Sequence, residues 1–91
     1  MINYRELEEI EESLSEAKGQ LAELTHWRKI VLAEQQLKAQ DGGAKSVAAA
    51  DMIARDSKPY RDAVYAYAKI VEKESRLWFK YKRLSRQLGV M

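Results

Sequence analysis

Between Pro59 and Gly89 the residues Ala63, Tyr67, Ile70, Leu77, Tyr81, Leu84 and Leu88 recur at alternating four- and three-residue steps, with Glu74 in the one polar slot. A stripe repeating every 3.5 residues leaves one face of a helix apolar along its whole length, and that face stays dry only against a partner helix. A second stripe matches it. Leu7, Ile10, Leu14, Ala17, Leu21, Leu24 and Val31 keep the same spacing near the N-terminus, with Arg28 in the slot between the last two. Two seams of one period predict two long helices packed on each other. One proline and four glycines in 91 residues leave few places to break them.

The boundaries follow from local chemistry. Asn3 is a good N-cap, Glu6 completes a capping box, and Ile2 with Leu7 has the spacing of a hydrophobic staple. Asp41-Gly42-Gly43 is a stop signal, so the first helix is expected over residues 3–40. Ser46 caps a short helix over 46–55, with Val47, Ala50, Ile53 and Ala54 on one side; ten residues need packing to be stable. Pro59 suits a first helical position and pushes Lys58 out of the α region, giving a third helix over 59–88 that Gly89 terminates. The whole chain, 1–91, reads as one all-α domain: a long antiparallel, coiled-coil-like hairpin with a short helix in the connection.

Charge selects the antiparallel arrangement. Residues 1–24 hold seven acidic and two basic residues, and residues 69–91 hold seven basic and two acidic ones. Side by side, these halves attract. In register, Leu14 is expected opposite Leu84, Ala17 opposite Tyr81 and Leu21 opposite Leu77. Gly19, with Ser13, Ala17 and Ala22, then offers small residues to the ring-rich end of the last helix. Arg28 and Glu74 fall within about one turn of each other, and a pair across the seam is expected there, fixing register more than adding stability.

Several functional classes find no support. No cysteine is present, so disulfides and thiolate metal sites are excluded, and His26 is the sole histidine. His26 reads as a surface or hydrogen-bonded residue. Asp41-Gly42-Gly43 lacks the GK[ST] of a phosphate loop, and no serine has a histidine and carboxylate placed to activate it. The expectation is a non-enzymatic protein without cofactor or metal. An acidic start without a following apolar block is unlike a signal peptide, and no apolar run approaches the ~20 residues of a membrane span.

Two surface features remain. Lys69, Lys73, Arg76, Lys80, Lys82, Arg83 and Arg86, interleaved with Trp78, Phe79 and Tyr81, resemble a nucleic-acid face. The acidic half of the first helix is expected to neutralise much of that charge, and a net charge of +2 falls short of a dedicated DNA-binding footprint. Tyr60, Val64, Val71 and Trp78 form a second stripe beside the seam, with Phe79 pointing elsewhere and Trp27 on the first helix. Exposed aromatic patches mark protein contacts. The expected partner-binding residues are therefore Trp78, Phe79, Lys80, Lys82, Arg83, Arg86 and Trp27, with self-association into a bundle.

The pattern also resembles a known group. A leucine-rich first helix and a glycine break, then Lys45-Ser46-Val47-Ala48, Ala54-Arg55-Asp56, Tyr60-Arg61-Asp62-Ala63 and the run Leu77-Trp78-Phe79-Lys80-Tyr81-Lys82-Arg83-Leu84-Ser85, are similar to small helical-hairpin proteins of tailed bacteriophages. These are often encoded near recombination and single-strand-annealing genes. The resemblance runs from about Leu21 onward. It implies phage or prophage DNA metabolism in the bacterial host cytoplasm and transfers no activity to individual residues. The leading expectation is an accessory factor in DNA recombination or replication that acts through protein contacts. A phage-encoded inhibitor of a host defence system or nuclease, an anti-CRISPR-like blocker, is the rival. Direct binding of single-stranded nucleic acid is the third reading.

Overall fold

In the computed structural model, which describes residues 4–89, three helices account for nearly all of the chain: α1 (Tyr4–Asp41), α2 (Val47–Arg55) and α3 (Lys58–Leu88). The expected class holds. α1 and α3 pair as a hairpin with α2 in the connection. Asn3 and Ile2, expected to cap and staple α1, lie outside the described residues.

The turn chemistry explains where the helices stop. Gly43 takes a φ of 98°, a conformation that costs an L side chain strain. There the Ala44 amide donates to the Ala39 carbonyl at 2.9 Å and the Gly43 amide to that of Gln40 at 3.1 Å. This is the paired bonding of a Schellman motif, and it satisfies carbonyls that the helix end would otherwise orphan. Ser46 caps α2 as expected, its hydroxyl accepting from the Ala49 amide at 3.0 Å. α3 starts one residue before Pro59. Lys58 is helical rather than excluded, because Ser57 is the cap: its hydroxyl donates to the Ala54 carbonyl at 2.6 Å and accepts from the Tyr60 amide at 3.4 Å.

Packing divides the chain into two compact units, Met1–Leu21 with Lys69–Met91, and Ala22–Ala68. In the first, Leu7, Ile10, Leu14 and Leu84 form a buried cluster, and Leu77, Tyr81 and Leu88 pack against it half-buried. Leu14 and Leu84, expected opposite each other, share that cluster. Ala17 is fully buried. Gly19 departs from expectation: it is exposed, and a Cβ placed on it would meet nothing within 4 Å. It is not a niche for the rings of α3.

In the second unit the buried residues are Val31, Ala39, Ala50, Ala54 and Ala63. Small side chains let α2 approach closely, and the Gln36 side-chain amide ties it down by donating to Asp51 at 2.8 Å. Only part of the expected α2 face is used. Ala50 and Ala54, four residues apart, face inward, whereas Val47 and Ile53 are 76% and 54% exposed. Ile53 lies about 100° around the helix from Ala54, at 3.6 residues per turn, whereas Val47 lies on the alanines' own side but is the first residue of α2.

Candidate functional site

In the unit Met1–Leu21 with Lys69–Met91, the seam fixes which α3 side chains turn outward. Leu77, Tyr81, Leu84 and Leu88 face the core, so Phe79, Lys80, Arg83 and Arg86 are left exposed. Phe79, Lys82, Arg83, Arg86 and Gln87 line one shallow groove. Phe79 is 69% exposed, a large apolar ring in water with cations around it.

Trp78 behaves differently from its neighbour. Its ring stacks on Tyr81 with centroids 5.5 Å apart and planes at 12°, and the Lys82 ammonium lies 5.2 Å from its centroid. Contacts of the first kind contribute about 0.5–1.5 kcal/mol beyond burial. Trp78 therefore extends the seam outward while keeping 40% of its surface exposed. Lys80 is exposed but does not line the groove.

The expected neutralisation by α1 is not made by contact at Lys80, Arg83 or Arg86. The ion pairs of this unit include Arg5–Glu9 and Arg76–Glu72, each between side chains four apart on one helix. Glu8, Glu11, Glu12 and Glu16 on α1 are exposed, as are Lys80, Arg83 and Arg86 on α3. Two of the predicted residues lie elsewhere. Trp27, 43% exposed, and Arg28 belong to the unit Ala22–Ala68, whereas Glu74 belongs with α3's C-terminal half.

Arg28 has an aromatic neighbour. Its guanidinium sits 4.4 Å from the centroid of the Tyr67 ring, close enough for attraction to the negative ring face. Around it is a site that heptad spacing does not reveal. Arg28, Lys29, Leu32, Arg55 and Tyr60 line one open groove. Arg55, Tyr60, Arg61, Val64, Tyr65 and Ala68 line another, and the two share Arg55 and Tyr60.

Arg55 is the fixed point between them. It donates to Asp51 at 2.9 Å through Nε, reaches the Tyr60 hydroxyl at 3.5 Å, and lies 5.9 Å from the centre of that ring. The Asp51 carboxylate holds the Arg55 guanidinium above its ordinary pKa, chiefly through their hydrogen bond. Bonds from Arg55 and then Gln36 hold the Asp51 carboxyl below the usual range. The sequence signal for this site is Arg55 followed five residues later by Tyr60-Arg61. It crosses the Ser57-Lys58-Pro59 break and so belongs to no single helical period.

Among the described residues, no three His, Asp or Glu side chains gather to hold a metal ion, and no helix is long and apolar enough to cross a membrane. No family model, curated protein or solved structure is significantly similar to the chain.

Proposed function

We propose that this chain is a non-enzymatic interaction module whose working surface is the outer face of the C-terminal half of α3, and that its partner is a protein with an acidic surface. The observation that carries this reading is the Phe79 groove: a ring 69% exposed, lined by Lys82, Arg83 and Arg86. An exposed aromatic within a cationic rim has the composition of an interface hot spot, where burying the ring supplies affinity and the charges supply orientation and on-rate. Trp78 adjoins the groove through Lys82, whose ammonium lies over its ring. The phage-like sequence pattern favours an accessory role in DNA recombination or replication in the bacterial host cytoplasm. Val71 and Trp78, each partly exposed, favour self-association beside that contact.

The test compares partners captured from infected cells by the parent chain, by Phe79→Ala with Arg83→Ala, and by a control changed at exposed Glu8 and Glu12. Partners lost only with the α3 variant support the reading. Retention of every partner by that variant, with helicity unchanged by circular dichroism, refutes it. Sedimentation equilibrium of Val71→Ser checks self-association, which should weaken relative to the parent.

A further inference from the structure

A second site lies in the unit Ala22–Ala68, and it differs in chemistry from the Phe79 face. We propose that the two grooves that share Arg55 and Tyr60 bind single-stranded nucleic acid, with Arg28, Lys29 and Arg61 taking phosphates and Tyr60 and Tyr65 stacking on bases. The observations are four cations and two rings in the linings of two grooves that have Arg55 and Tyr60 in common. Tyr65 is 63% exposed. Asp51, the acid that contacts a lining cation, accepts from Arg55 and Gln36. Lys29 and Arg61 are exposed, and neither forms an ion pair with a described residue.

The arrangement favours a nucleic-acid strand over an acidic peptide. An amphipathic peptide helix needs a long apolar trough for anchors several turns apart, and here the apolar floor is only Leu32, Val64 and Ala68. Rings and cations in the same linings instead match a ligand that alternates flat bases with single negative charges. Paired bases in a duplex present no free face to Tyr65, so a single strand is preferred. Arg55 is oriented in advance by Asp51, which lowers the ordering cost of a phosphate contact at its remaining donors.

The test is fluorescence anisotropy with a labelled fifteen-nucleotide oligothymidylate, from low salt upward, on the full chain. Binding is expected to weaken with salt. Lys29→Ala with Arg61→Ala should reduce the slope of log K against log salt by about 1.4, at roughly 0.7 per lost single-strand phosphate contact. Tyr65→Ala should weaken binding by roughly 5- to 150-fold. On the parent chain, amide shifts on adding the oligonucleotide should concentrate in residues 28–32 and 55–68, a readout that needs no variant. Absence of binding at low salt overturns the proposal. So does retention by Lys29→Ala/Arg61→Ala when Arg83→Ala/Arg86→Ala loses it, which would place the strand on the Phe79 face. Equal affinity for a polyglutamate peptide, or indifference to Tyr65→Ala, also refutes it by reducing the site to an acidic-protein or bare charge contact.

Discussion

Replacing Gly19 with alanine should stabilise this protein, and the size of the gain can be worked from the structure. Gly19 lies inside α1, is exposed, and has no atom within 4 Å of where a Cβ would stand. Nothing therefore opposes the intrinsic preference of a helix interior for alanine over glycine, about 0.8–1.0 kcal/mol, which arises from the extra freedom glycine loses on folding. For a domain of this size a gain of that order raises the melting temperature by about 4–8 °C. Thermal unfolding followed by far-UV circular dichroism, at two protein concentrations, reads it directly. Gly43 is the control of opposite sign. Its surroundings are equally empty, but its φ of 98° makes Gly43→Ala strained, at a cost of about 1–2 kcal/mol. A lower melting temperature for Gly19→Ala would refute the reasoning. A loss seen only at high concentration would show that a second copy occupies that face, because association makes apparent stability concentration-dependent.

Leu84→Ala should cost about 2–4 kcal/mol in urea unfolding, since Leu84 is the buried α3 member of a cluster with few other residues. Ser85→Ala should be neutral or stabilising by up to about 1 kcal/mol in the same assay: Ser85 is 2% exposed and its hydroxyl has no hydrogen-bond partner among the described residues, so the change removes a buried unsatisfied group. The Asp51 carboxyl is depressed by Arg55 and then Gln36. Its contribution to holding α2 is therefore present above the unfolded value of about 3.9 and is lost as pH falls through the lower folded value. Amide-exchange protection across residues 47–55, corrected for the intrinsic pH dependence of exchange, should fall in that acid window for the parent and show no such step for Asp51→Asn.

The features legible in the residues are those that a single helical period carries. Leu7, Ile10, Leu14 and Leu84 declare a seam because large aliphatic residues at 3.5-residue spacing have no other use in a chain with so few breakers. Gly43 and Ser46 declare the turn because each satisfies a backbone demand that few residues meet. Where two local rules compete, the pattern misleads. Pro59 is the louder signal, but it is the Ser57 hydroxyl that makes the cap and lets Lys58 enter the helix. The smallness of Gly19 suggests a packing role, yet the seam passes it by. Charge alone does not foretell the Tyr67 ring beside Arg28. The Arg55–Tyr60 groove is illegible for a deeper reason. Its residues come from three helices, and no periodicity relates α2 to the helices on either side.

The opposite charges of the two long helices favour the antiparallel arrangement, and close pairing would also have used up the cations of α3. The exposed positions argue against that pairing. Glu8, Glu12 and Glu16 on α1 and Lys80, Arg83 and Arg86 on α3 project into solvent, where attraction acts through water. At a separation of about 10 Å in bulk dielectric, one pair of unit charges is worth only about 0.4 kcal/mol, and physiological salt, with a screening length of about 8 Å, reduces it further. Summed over several pairs, that is enough to bias topology. It is too weak to compete with an anion at contact distance, where one charge-assisted hydrogen bond contributes about 1.5–3 kcal/mol. The acidic half of α1 can thus orient the fold without occupying the basic half of α3. A surface neutral in sum remains locally able to grip an acidic partner.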